Sequence, residues 1–229
     1  MKKTWILTLT GILALTTINI ARAQFSITAQ AGGIPTAGGA TLQNFDALNP
    51  AGLTLSGSAY LLTGTDGTAT APVFSGSTAA FFEETPANGS DNTQYVAVEP
   101  GGTATLNFSG PQLYFGLLWG TIDPYEGMND LTFYDSANNV IGTLNGGDVL
   151  SANGALSPGD TAYVNIISTI PFSRVVASAT AIYPESFEFD DVAYAQAVPE
   201  PAGLAGFAAL ALVLPFRRAL RKRGTRSDL

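Results

Sequence analysis

The sequence predicts an all-β body, a jelly-roll-like β-sandwich, set between an N-terminal signal peptide and a short C-terminal membrane helix. Three observations carry that expectation. Long stretches with apolar residues at 3.6-residue spacing are missing from the body of the 229-residue chain. Short runs rich in alternating apolar and polar residues recur instead. Glycine, proline, asparagine and aspartate punctuate them at turn-like intervals.

Taken in order, the predicted strands are Phe25–Ala29, Thr41–Phe45, Leu53–Leu62, Thr68–Phe74, Gln94–Val98 and Thr103–Phe108, then Leu113–Trp119, Leu131–Tyr134, Val140–Leu144, Ala162–Ile167, Arg174–Ile182 and Ser186–Ala193. Gly32-Gly33 and Gly38-Gly39 bracket a segment expected to be loose, and Thr85 to Asn92 reads as a polar loop. Pro100-Gly101-Gly102 divides two strands, and Pro158-Gly159-Asp160 precedes another. Asp135-Ser136-Ala137-Asn138-Asn139 joins two apolar runs as a hairpin loop, with Asn138 or Asn139 suited to a left-handed φ. Leu113 to Trp119 is apolar on both alternating faces, which places that strand centrally, packed on one side and covered on the other.

Charge is unevenly distributed. Between Gln24 and Ala197 stand sixteen acidic residues and a single base, Arg174. Nothing in that stretch would neutralise a nucleic acid or an anionic lipid surface, so neither is an expected partner. Metal cations and neutral glycans stay open. The chain has no cysteine and no histidine, and the body has no lysine. Disulfides, thiolate chemistry, zinc sites and most nucleophilic mechanisms are therefore excluded. Arg174 is expected to pair with a carboxylate.

Both termini are written for membranes. Lys2 and Lys3 begin a positive segment, Trp5 to Ile20 is apolar, and Ala21-Arg22-Ala23 is a small-x-small cleavage site, so residues 1–23 read as a signal peptide removed by signal peptidase. At the other end stand Val198, Pro199, Glu200 and Pro201, an apolar run over 202–216, and a basic tail over 217–226 containing Arg217, Arg218, Arg221, Lys222 and Arg223. The prolines leave an extended stretch that a processing enzyme can grip. The apolar run would cover roughly 22 Å as a helix, short of a ~30 Å hydrocarbon core, and the basic cluster would stay cytoplasmic. This order of parts resembles the PEP-CTERM sorting signal, which membrane proteases of the exosortase class read in bacteria that make extracellular polysaccharide. The body, residues 24–197, shows a second resemblance over Gln94 to Ala193. Phe115-Gly116-Leu117-Leu118-Trp119-Gly120, Asp130 to Asp135 and Phe187-Glu188-Phe189-Asp190-Asp191-Val192 look like an ectodomain family of exosortase-dependent surface proteins. That resemblance implies the jelly-roll-type sandwich and brings no settled activity.

Two ligand readings arise within the body. If first and last strands lie side by side, Asp46 could meet Asp190 or Asp191, and converging oxygens would suit Ca²⁺; the alternative is that these aspartates accept turn hydrogen bonds at a strand end. In a regular strand Glu188 and Asp190 share one face, and Phe187, Phe189 and Asp191 the other. Aromatic rings could stack on sugars: Tyr125 and Tyr134 near the Thr121–Asn129 loop, and Trp119, which is expected to be buried. Glu83 and Glu84 are adjacent and would diverge on a strand, so they do not form a glycosidase pair. The function expected is that of an exported, exosortase-processed cell-surface or extracellular-matrix protein. It would have no catalytic activity and no obligatory cofactor, and would pass through the inner membrane as a precursor. The alternative is a glycan-binding module, with or without Ca²⁺, that tethers cells to extracellular polysaccharide.

Overall fold

The protein is described by a computed structural model, which defines residues 24–46, 52–82 and 89–196. The expected signal peptide, Glu83, Glu84 and everything from Ala197 onward, including the proline-glutamate-proline motif, the apolar run and the basic tail, lie outside the described residues. Among the described residues no helix is long and apolar enough to cross a membrane.

The described residues form twelve strands and two short helices, and every strand pairing among them is antiparallel. Two long strands organise the molecule: β8, Thr103–Gly120, and β11, Ala162–Ser178. Each was expected as two strands broken near a proline. Instead each runs on and turns a corner, β8 around Gly110-Pro111 and β11 around Ile170-Pro171. The register between them slips there, from Ile167↔Tyr114 to Phe172↔Gln112 to Arg174↔Asn107. Proline has no N–H to give a ladder, and a bulged corner is where a sheet tolerates that loss. The side chain of Ser168 donates to the carbonyl of Ile170 at 2.6 Å, and Gln112 donates to that of Gly110 at 2.8 Å, which satisfies backbone groups at the bend.

The corner produces two arms. One arm orders β1 (Phe25–Gln30), the first half of β11, the second half of β8, β12 (Phe187–Ala195), β7 (Gln94–Val98) and β4 (Ala59–Thr63), with β2 (Thr41–Gln43) paired to the far end of β12. The other orders β10 (Val140–Asn145), β9 (Asp130–Tyr134), the second half of β11, the first half of β8 and β3 (Leu53–Ser56). Their inner faces meet in a sandwich-like core. Phe115 of the first arm meets Phe133 of the second at 5.9 Å, and Phe172 at the corner contacts Phe133 at 5.2 Å. Trp119, Phe187 and Phe189 extend the core and are fully buried. Each such side chain contributes roughly 1.5–3 kcal/mol by leaving water.

As the apolar pattern of Leu113 to Trp119 requires, the outer face of the first arm is covered too. Phe115, Leu117 and Trp119 point into the core, whereas Tyr114 and Leu118 pack beneath the segments on the other side. The stretch from Gly32 to Ala40, expected to be loose, is tied down: Ala37 packs on Tyr114 and Ala193, and the Thr36 amide donates to Asn165 at 2.9 Å. Residues 69–74 cover Tyr95, Ala97 and Leu118. The two-stranded pair of β5 (Val73–Phe74) and β6 (Gly89–Ser90) and the helix α1 (Gly76–Phe82) complete the cover, with Phe82 stacked on Tyr163 at 5.7 Å.

Three further strand expectations are corrected. Leu53–Leu62 is two strands separated at Gly57 (φ +62°), and β3 joins one arm while β4 joins the other. Of Thr68–Phe74 only Val73–Phe74 is a strand, because Thr70 gives its amide to the Glu188 carboxylate rather than to a ladder. The final strand contains a bulge at Asp190–Asp191, with Asp191 at φ +50°. The extra residue keeps Phe189 and Val192 in the core, so Asp191 does not share the face of Phe187 and Phe189 as regular alternation required. Asn138 takes the left-handed φ, +67°, in the expected hairpin. A seven-residue helix, α2 (Gly146–Ala152), was not foreseen; it begins with a capping box between Asn145 and Asp148.

Candidate functional site

At one end of the sandwich the chain leaves β8 through Thr121, a non-glycine residue at φ +42°. Its hydroxyl donates to Glu188, whose other oxygen accepts the Thr70 amide at 2.9 Å. Glu188 is sealed from solvent, and burial pushes its carboxyl up to about 7 against the opposing pull of those two hydrogen bonds. It is a structural acid: nothing diffusing past could reach it.

Beyond Thr121 the loop is held by Asn129, which is fully buried. Its side-chain oxygen accepts from the Asp123 amide at 2.9 Å and from the Trp119 indole at 3.5 Å, while its amide nitrogen donates to the Ser186 carbonyl at 3.3 Å. One side chain therefore fastens the loop to the end of β8 and to the segment entering β12. A second tie runs from the Thr180 amide to the Gly127 carbonyl at 2.7 Å. Between these ties the Tyr125 and Tyr183 rings lie nearly parallel, 6.0 Å apart at 17°. Tyr125 is 60 % exposed, and Ile182 beside Tyr183 is 83 % exposed.

Carboxylates flank the tyrosines. Asp123 is raised to about 6, chiefly by burial and further by the negative charge of Glu185, with Asn129 pulling the other way. Its Oδ2 is buried without a hydrogen-bond partner. Glu126 and Glu185 are exposed. An exposed aromatic surface beside acceptor-only carboxylates can stack against the apolar face of a sugar and accept hydrogen bonds from its hydroxyls.

Of the expected sugar-stacking residues, only Tyr125 stands on this surface. Trp119 is in the core against Phe187 at 4.7 Å. The ring of Tyr134 is covered by Arg174, whose guanidinium carbon sits 3.9 Å from the ring centroid and which also donates to Asn138. Arg174 was expected beside a carboxylate; the ring and the amide take its place. Tyr183 was missed, since it lies just past a predicted strand end and only its distance from Tyr125 reveals it. The single signal available was an aromatic-proline pair, Tyr183-Pro184, in a turn.

The acidic residues proposed for a metal are not gathered as expected. First and last strands are not neighbours, because β11 and β8 stand between β1 and β12. Asp46 does lie near β12, following β2, but its carboxylate is engaged by the Asn44 side chain at 2.6 Å and the Gln94 amide at 3.1 Å. Asp190 and Asp191 are fully buried. Among the described residues no group of three or more histidine, cysteine, aspartate or glutamate side chains is arranged to hold a metal. Two surface grooves, of about 340 and 260 Å³, occur at the other end and along β1; neither is lined by a carboxylate or a base.

No protein-family model, no curated protein and no solved structure matches this chain. The fold and the site rest on the chain's own residues.

Proposed function

We propose that this chain is an exported surface or matrix protein, without catalytic activity of its own, that is processed at both ends. The observation that carries the proposal is the order Val198-Pro199-Glu200-Pro201, apolar run, arginine cluster, combined with the N-terminal signal segment. Signal peptidase removes residues 1–23 during export. The C-terminal run, too short for a usual permanent anchor, holds the precursor in the inner membrane until an exosortase-class protease cuts near the motif. The acidic body, a sandwich of jelly-roll type in this reading, is then released to the cell surface or extracellular polymer. Mass spectrometry of the mature protein tests this: its ends should be Gln24 and a residue close to Pro199, and a Pro199/Glu200/Pro201→Ala variant should accumulate uncut in the inner membrane. Native protein that keeps both Met1 and Leu229 would sink the proposal.

The Tyr125–Tyr183 surface favours a second reading, in which the body binds a neutral extracellular polysaccharide. Stacked tyrosines with acceptor carboxylates and no nearby base suit an uncharged or cationic glycan rather than an acidic one. Retention on immobilised polysaccharides separates this reading from a purely structural role, since binding should disappear in Tyr125→Ala and Tyr183→Ala.

A further inference from the structure

The rings of Tyr125, exposed, and Tyr183, half-buried, come from two separate loops that one buried side chain holds at a fixed spacing. The Asn129 oxygen accepts the Asp123 amide at 2.9 Å, and its nitrogen donates to the Ser186 carbonyl at 3.3 Å. A second tie joins the Thr180 amide to the Gly127 carbonyl at 2.7 Å. The rings therefore stand nearly parallel, 6.0 Å apart, before any ligand arrives. Little conformational freedom is left for binding to remove. The same ties gather carboxylates. Asp123 and Glu126 stand on either side of Tyr125 in the chain, Glu185 follows Tyr183 by two residues, and both glutamates are exposed. After burial, the charge of Glu185 is what holds the Asp123 carboxyl above its usual range. No base of the body offsets this charge. Its single base, Arg174, lies four residues along β11 from Ser178, the partner of Asp130, and is occupied at Tyr134 and Asn138.

We propose that this surface binds a polysaccharide whose sugars carry free, charged amines, an amino-sugar polymer of the glucosamine type. The proposal rests on the glycan reading of the same surface and commits it to the cationic class. An exposed tyrosine face attracts an ammonium group as well as the apolar face of a pyranose, so one amino sugar uses both attractions. Carboxylates also accept from a neutral hydroxyl, but a hydrogen bond from an ammonium is charge-assisted and roughly twice as strong. A neutral sugar would leave the carboxylates repelling one another, whereas a cationic one relieves that repulsion. An acidic sugar would add to it. A cationic peptide shares the charge but lacks the flat face of C–H groups that a pyranose lays on a ring, so the sugar polymer is the occupant.

The test is retention of the full chain, in a detergent without a sugar headgroup and at mildly acidic pH, on immobilised glucosamine oligomers and on N-acetylglucosamine oligomers of equal length. The aminated oligomers should bind roughly tenfold more tightly, and added salt should shrink that preference. Glu126→Gln and Glu185→Gln should each reduce the preference and leave retention on the acetylated oligomers unchanged. Asp135→Asn, the same loss of charge beyond the far end of β9, should leave the preference intact. Equal retention on the two oligomers would overturn the proposal and leave the neutral-glycan reading standing, and this comparison needs no variant. Retention on neither would remove both. The proposal would also fall if Asp135→Asn lowered the preference as much as the glutamine variants do, or if a lysine oligomer competed as well as the glucosamine oligomer. Either result would mean diffuse attraction to an acidic body. Both glutamates are exposed, so their variants should fold as the unaltered chain does, which circular dichroism checks.

Discussion

The phenol of Tyr114 donates to the side-chain oxygen of Asn165 at 2.6 Å, and Asn165 is the residue paired with Gly116 across the β8–β11 ladder. The bond is buried, and desolvation pushes the Tyr114 hydroxyl up to about 12. It fixes the cover as well as the sheet, because Asn165 also accepts the Thr36 amide and donates to the Ile34 carbonyl at 3.3 Å. Room for it comes from Gly116: a Cβ there would lie 2.5 Å from the Tyr114 oxygen and 2.9 Å from that of Tyr163.

Gly116→Ala should therefore destabilise the protein by about 1–3 kcal/mol, the usual cost of overpacking a filled interior. Chemical denaturation measures it. Adding Tyr114→Phe, which removes one of the two colliding oxygens, should recover part of the loss. A G116A chain as stable as the original would mean that the tyrosines are not packed over the glycine.

Asn129→Leu keeps the volume of the side chain and abolishes its hydrogen bonds. The Trp119 indole, the Asp123 amide and the Ser186 carbonyl each lose a partner, at about 1–3 kcal/mol for each group that stays buried. The expected outcome is a clear fall in the denaturation midpoint. Amide exchange should quicken over residues 121–129 first, since Asn129 joins the loop both to the end of β8 and to the segment entering β12.

Stability should depend on pH through Asp123. Its carboxyl moves from the ordinary 3.8 to about 6 on folding, so between those values the folded state holds more protons than the unfolded one. Stability then falls as pH rises through that window and levels off above it. Because the group is partly exposed, solvent screening reduces the effect to about 1 kcal/mol. Subtracting the denaturation profile of Asp123→Asn from that of the unaltered chain should show this slope between pH 4 and 6. A flat difference would refute the assignment.

Tyr125→Ala should change stability by no more than about 0.5 kcal/mol, as expected for an exposed residue clear of the core. Tyr183→Ala, partly buried, should cost somewhat more. Loss of polysaccharide retention with the fold intact, read by circular dichroism, is the outcome predicted by the glycan reading.

Features legible in the sequence are those set by neighbours along the chain. The two-sided apolar pattern of Leu113 to Trp119 demanded a central strand, and the core on one side and Tyr114 and Leu118 under cover on the other meet that demand. The Asp135–Asn139 hairpin was legible because an aspartate accepting the Ala137 and Asn139 amides is a local turn device. The seven-residue helices α1 and α2 escaped because two turns are too few for a period to emerge. The continuity of Thr103–Gly120 and of Ala162–Ser178 escaped, since the alternation lapses around Pro111 and Pro171 and a local pattern says nothing of a strand that bends and resumes.

By itself the sequence determined strand chemistry, the acidic and cysteine-free character of the body and the apolar and basic patterning of its ends, for each is a property of residue types and short spacings. Tertiary structure alone decided that Tyr125 meets Tyr183 and that a bulge takes Asp191 out of the regular alternation of Phe187 and Phe189. These depend on register between strands far apart in the chain. A one-residue slip there reverses which side chains face inward, and no local pattern records it.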